Sequence, residues 1–168
     1  MKRLLSTIAA SGLLLTAAVA TAPTASASDR TCRGTIGAVT VDNVTVPKGA
    51  TCKLRGTRVK GNVKVNYDSY LSATYVRVDG NIQTQGHRWL TVTFSDVEGN
   101  IQAEKGKGMN IRRNTVDGDI QVFDNYAWSK NIWSNRVDGN LQCKNNRPAP
   151  AGKYNVVKGD KEGQCRSF

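Results

Sequence analysis

Six residues return at a fixed interval through most of this chain. Val78-Asp79-Gly80-Asn81-Ile82-Gln83, Val97-Glu98-Gly99-Asn100-Ile101-Gln102 and Val116-Asp117-Gly118-Asp119-Ile120-Gln121 succeed one another every 19 residues. Val137-Asp138-Gly139-Asn140-Leu141-Gln142 follows 21 residues later. Degenerate copies flank them at Val59-Lys60-Gly61-Asn62-Val63-Lys64 and Val157-Lys158-Gly159-Asp160, and Val41-Asp42-Asn43-Val44-Thr45-Val46 repeats the pattern without the glycine. A period of about 20 residues is the mark of a solenoid, in which each repeat buries its apolar face only by stacking on its neighbours.

Within the repeat, apolar residues alternate, as in Val39 and Val41, Val44 and Val46, and Val63 and Val65. Alternation is the period of a strand. Gly61, Gly80, Gly99, Gly118, Gly139 and Gly159 interrupt each strand at one place. Glycine there permits either a positive φ or a close approach of adjacent coils. The Asn that follows tolerates a left-handed backbone, and stacked Asn side chains can bond up a column. The unit therefore reads as strand, bend, strand. The second half of the coil offers further inward columns: Leu71, Leu90, Met109 and Trp128; Ala73, Val92 and Ile111; Tyr75 and Phe94. The coil holding Trp128, Ile132 and Trp133 is two residues longer than its neighbours, which predicts a bulge or a widened bend. The fold expected is all-β: a single-stranded parallel β-helix of about 19–21 residues per coil and six to seven coils. Right-handed winding is favoured, because crossovers between parallel strands take that hand.

The cysteines agree with this. Cys32 and Cys52 are 20 residues apart and Cys143 and Cys165 are 22 apart, each near one coil. Adjacent coils lie about 4.8 Å apart, inside the Cα separation of about 4.4–6.8 Å that a disulfide accepts. Four cysteines allow three pairings, and only Cys32–Cys52 with Cys143–Cys165 avoids joining distant coils. Such bridges would staple the two ends, where a solenoid has one neighbour rather than two.

Residues 1–27 are read as a signal peptide: Met1-Lys2-Arg3 is basic, Leu4 to Ala20 is apolar and small, and Ala25-Ser26-Ala27 fits a cleavage site. Residues 28–168 form the disulfide-capped domain, with residues 28–38 as its N-terminal cap. The expected location is therefore secreted, with no later membrane span. The whole chain carries a formal charge of +11 and the domain two fewer, since residues 1–27 hold Lys2 and Arg3 and no acid. A basic exported protein finds its anionic partners among cell-wall polymers and acidic polysaccharides. Nucleic acid is the weaker expectation, because no nucleic-acid-binding module is present.

The repeat units from Val78-Asp79-Gly80-Asn81-Ile82-Gln83 to Gln142-Cys143, with the closing Gly163-Gln164-Cys165, resemble uncharacterised secreted parallel β-helix proteins of actinomycete bacteria. The resemblance spans nearly all of residues 28–168 and implies a fold, with no activity attached. The Val-x-Gly-Asn-Ile unit is also similar to the repeats of bactofilins, polymer-forming cytoskeletal β-helices. Those are cytoplasmic and lack disulfides, whereas this chain has an export-like leader and four cysteines.

Two outward columns flank the Gly-Asn bend and are the candidate binding residues: Asp79, Glu98, Asp117 and Asp138 on one side, Gln83, Gln102, Gln121 and Gln142 on the other. Groups repeating every coil suit a repeating polymer, and they equally suit an amide ladder that holds the stack. The acids need screening, and Arg77, Arg112, Arg113 and Arg136 are near enough in sequence to supply it. Stacked carboxylates also satisfy the spacing of a glycosidase pair, but any acid column does so. A catalytic site breaks the repeat, while these acids follow it, so no catalytic residue is assigned. No metal site or cofactor is expected. The single histidine, His87, reads as a surface residue, and Tyr67, Tyr70, Phe123 and Tyr126 gather near its corner. The function expected is a non-catalytic β-solenoid, structural or polymer-binding at the cell surface, with an anionic or polysaccharide ligand. A polysaccharide-active enzyme and a self-assembling structural protein are the alternatives.

Overall fold

The computed structural model describes residues 28–168, so the leader expected at residues 1–27 lies outside the described residues. The chain winds into three parallel sheets of eight, seven and seven strands. Each turn contributes one strand to each sheet. The eight-stranded sheet, here the amide face, contains Val63–Val65, Ile82–Gln85, Ile101–Glu104, Ile120–Phe123 and Leu141–Lys144 among its strands. The wide face has strands of up to five residues, such as Tyr70–Thr74, Trp89–Thr93 and Gly108–Arg112. The narrow face is built from two-residue strands, such as Arg77–Val78, Asp96–Val97 and Arg136–Val137. No helix among the described residues is long and apolar enough to cross a membrane.

The repeat sets the register. Ile82, Ile101, Ile120 and Leu141 lie directly above one another, as do Val78, Val97, Val116 and Val137. These columns are buried and fill the interior together with Leu71, Leu90 and Met109 and with Ala73, Val92 and Ile111. Like side chains stacked in register interdigitate without voids, which is what burial needs to be effective.

Three corners join the faces, each with its own chemistry. At the Gly-Asn bend each glycine N–H from Gly80 onward donates to the glycine carbonyl one coil below, as Gly99 does to Gly80 at 3.1 Å, and the Gly61 N–H donates to the Asp42 carbonyl. Each following N–H donates to the side-chain oxygen of the Asn or Asp below: Asn81 to Asn62, Asn100 to Asn81 and Asn140 to Asp119, at 2.7–2.8 Å. These glycines do not have positive φ. They are required by close approach, since a β-carbon at Gly80 would lie 2.6 Å from the Gly61 carbonyl oxygen.

The corner between the wide and narrow faces is left-handed instead, with positive φ at Gly56, Tyr75, Phe94, Arg113, Ser134 and Tyr154. Inside it runs a buried Asn column. The Asn114 N–H donates to Asn135 Oδ1 and the Asn135 N–H to Asn155 Oδ1, while their Nδ2 groups donate to Val92 and Ile111 carbonyls. The third corner, between amide and wide faces, has positive φ at Gly86, Lys105, Asp124 and Asn145 and encloses Asn125 and Asn146. Backbone groups at a tight bend cannot join a sheet, so buried side-chain amides satisfy them.

Cys32–Cys52 and Cys143–Cys165 are the two disulfides, with Cα separations of 5.5 and 5.3 Å. They sit at opposite ends of the stack. Residues 28–38 hold the edge strands Arg30–Thr31 and Gly34–Ile36, so the cap is itself a first partial coil.

Several interior assignments need correction. The position above Met109 is held by Lys130, not Trp128. The two extra residues of that coil push Trp128 outward, where it is 40% exposed. Tyr75 and Phe94 stand on the left-handed corner and are exposed, because a positive φ turns the side chain away from the core. Val39 is likewise exposed, and the inward alternation begins at Val41.

Candidate functional site

The acid column forms along the narrow face. Each carboxylate follows a two-residue strand whose outward residue is often arginine, which brings opposite charges together across coils. Asp79 lies 3.0 Å from Arg58 and 3.5 Å from Arg77, and Arg77 continues to Glu98 at 2.7 Å. Asp138 pairs with Lys158 at 2.6 Å and Arg136 at 3.9 Å. The hydrogen bond to Glu98 is the main reason that the Arg77 guanidinium is held above its ordinary pKa. Of the arginines expected to screen the acids, Arg77 and Arg136 do so. Arg112 ends a strand of the wide face, and Arg113 stands on the next corner. Asp117 belongs to the column and makes no ion pair among the described residues. Among these residues no group of three or more His, Cys, Asp or Glu is placed to hold a metal ion.

The glutamine column lies beyond the bend, on the amide face. Gln83 donates to Gln102 at 2.9 Å, Gln102 to Gln121 at 2.9 Å and Gln121 to Gln142 at 3.1 Å. The ladder ends on Glu162, which accepts from Gln142 at 3.2 Å. At its foot Lys64 stands in register with Gln83. Each carboxamide donates one N–H in the ladder, and Gln102, Gln121 and Gln142 each accept one bond, so every one keeps a second N–H and a further lone pair. The ladder thus stabilises the stack and still presents donors and acceptors. The two predicted columns do not meet in one site, because the bend puts them on different faces.

Beside the ladder the surface sinks into an open groove of about 660 Å³. Gln83 and Gln102 line it, with Gln85, Glu104 and three lysines, Lys48, Lys64 and Lys105. One glycine makes room for the groove's aromatic ring. Gly86 occupies the left-handed corner at φ +73°, and the Tyr67 ring lies where its β-carbon would be, 2.6 Å away. The ring is thereby folded against the corner, yet Tyr67 remains 56% exposed. Lys48 Nζ stands 5.5 Å from its centroid, within range of a cation–π contact. None of these three lysines is in an ion pair among the described residues, whereas Lys60, Lys107 and Lys158 are.

His87 lies beneath this floor, fully buried rather than on the surface. Its Nδ1 is 2.7 Å from Thr84 Oγ1, and Thr84 lines the groove. Gly106 makes room for the ring, since a β-carbon there would touch it at 2.1 Å. Burial, with the nearby Lys130 charge adding to it, pushes the imidazole down to about 4, so it is neutral at pH 7. Lys130 itself is 1% exposed and donates to the Trp128 carbonyl at 2.7 Å and the Arg147 carbonyl at 3.2 Å. Burial lowers its pKa as well.

Sequence reasoning named Tyr67, Gln83 and Gln102 separately and gave Lys48, Lys64, Gln85 and Glu104 no role in a site. They come together only across four coils. The readable signal was the glycine at position 86, where the other coils of this corner carry Lys105, Asp124 and Asn145. No family model matches the chain, and neither a curated protein nor a solved structure matches it.

Proposed function

We propose that this protein is a secreted, non-catalytic β-solenoid that binds an acidic polysaccharide at the cell surface through the groove on the amide face. One observation carries the reading: an exposed aromatic ring, Tyr67, is held at a groove whose lining holds three lysines in no ion pair among the described residues, one carboxylate and a column of amides. An aromatic face packs against the C–H face of a pyranose, and its apolar body makes it a strong anchor. Lys48, Lys64 and Lys105 attract carboxylate or sulfate groups, and Gln83, Gln85 and Gln102 bond hydroxyls. Two disulfides suit an oxidising location.

Affinity electrophoresis of the protein in gels containing polygalacturonate or a neutral glucan tests this. Retardation is expected with the acidic polymer, falling as salt rises, because exposed charges are screened. Tyr67→Ala and Lys48→Gln each weaken it by at least about tenfold, roughly 1.4 kcal/mol. Equal mobility in both gels, or an unchanged Tyr67→Ala variant, would sink the proposal.

A further inference from the structure

The positive charge of the domain is unevenly placed. The seven strands of the wide face contain no Asp or Glu. They present Lys53, Arg55, Arg112 and Lys153 outward, none of them in an ion pair among the described residues. The same face carries rings. Trp89 lies over Gly108 of the next coil, where a β-carbon would meet the indole at 2.3 Å. Its Nε1 donates to Thr91 Oγ1 at 3.0 Å, which fixes the ring's orientation. The two-residue bulge then brings Trp128 beside it, at 6.1 Å and 44° between planes. This bulge is where the 19-residue spacing of the central repeats is broken, and it is pinned by the Lys130 ammonium on the Trp128 carbonyl. Beside the rings Thr91 and Asn110 stand in register, with Asn110 Oδ1 turned into the protein, buried and without a hydrogen-bond partner among the described residues.

We propose that the wide face is a second acidic-glycan site, with Trp89 and Trp128 as the stacking platform and Arg112 as the anion contact. One molecule then holds two strands of polymer. The inference rests on the groove reading for the class of ligand and on separate residues for the site. An acid-free cationic face complements a polyanion. Ordered rings beside hydroxyl and amide groups suit a sugar, which offers an apolar face and a polar edge together. Two sites on one rigid rod would raise the avidity for a long polymer well above either affinity.

The chain supplies its own reporter. All three of its tryptophans, Trp89, Trp128 and Trp133, lie on this face or its bulge, and the groove holds none. Tryptophan emission of the full chain is therefore followed while a defined oligogalacturonate is added, with calorimetry giving the stoichiometry. Two sites are expected, with a saturable emission change that persists in Tyr67→Ala. Trp128→Ala and Arg112→Gln should each weaken the emission-detected event about tenfold and leave the groove event in place. Trp128 is 40% exposed, so its truncation spares the fold. A stoichiometry of one with unaltered emission would overturn the second site and leave the groove intact. Loss of the emission change in Tyr67→Ala would overturn it too, since one continuous site would then account for both. Tighter quenching by a single-stranded oligonucleotide than by the oligosaccharide would reassign the face to nucleic acid.

Discussion

The Asn81 Oδ1 atom lies 2.5 Å from where a β-carbon on Gly99 would be placed, and it accepts the Asn100 N–H at 2.8 Å. The same two residue types meet at this bend in coil after coil. The glycine opens the space, and the asparagine of the coil below uses it to satisfy a backbone donor that the bend has removed from any sheet.

Substitution at that bend is therefore expected to be costly in one direction. Gly99→Ala drives a β-carbon into the Gly80 carbonyl, 2.7 Å away, which cannot swing aside as a side chain would. Overpacking of this kind costs about 3 kcal/mol. Asn81→Ala only strands the Asn100 N–H near solvent and should cost about 1 kcal/mol. Urea melts of both variants check the order; an alanine at 99 that is as stable as the parent would refute the close-approach account.

The acid column should behave differently. Its ion pairs are exposed, with the Arg77 side chain 54% and the Glu98 side chain 45% accessible. Such pairs contribute less than about 1 kcal/mol. Glu98→Gln is expected to shift the urea midpoint only slightly, and raised salt should shrink even that difference. A large loss of stability would mean that this column holds the narrow face together.

His87 predicts a pH dependence. Its folded pKa is pushed to about 4 from an ordinary 6.5. The unfolded chain therefore takes up a proton first as the pH falls. The stability associated with neutral His87 is complete above the ordinary value and disappears as the pH drops through the folded one. Its full size is about 3 kcal/mol. Thermal melts of the parent should fall between pH 7 and pH 4 more steeply than those of His87→Asn, a residue that this corner already carries at Asn125 and Asn146. Parallel curves for the two proteins would show that the imidazole is not the titrating group.

Each disulfide closes about one coil and is worth about 3 kcal/mol in the chain-entropy model. Replacing Cys32 and Cys52 together by serine should raise amide hydrogen exchange at the N-terminal edge strands and leave Ile101–Glu104 in the middle of the stack protected. Uniform loss of protection would mean that the solenoid unfolds as one unit and not from its ends.

The periodic residues carried the architecture openly. Columns such as Ile82, Ile101 and Ile120 recur in sequence at the spacing with which they stack in space, so one coil predicts the next. The disulfide pairing came from the same arithmetic, since one-coil spacing is the only geometry that brings these sulfurs together. One further ladder was legible in principle, because Asn114, Asn135 and Asn155 each stand two residues before the valine of the repeat.

What the repeat could not reveal is whatever departs from it. His87 looked like a surface residue because nothing in one dimension shows that Gly106, a full coil later, leaves room for its ring. Trp128 counted into the core because spacing alone cannot say where two extra residues bulge, and Lys130 took the vacated column by turning its ammonium to the carbonyls of Trp128 in the bulge and Arg147 in the next coil. The groove is assembled from Lys48, Tyr67, Gly86 and Lys105, one from each of four successive turns, and no local pattern links them. The sequence by itself determined the stacking, because apolar burial and backbone pairing repeat with the chain. Only the tertiary structure decided which side chains share a surface, because at a corner the direction of each side chain is set by the backbone hand and by the room the next coil leaves.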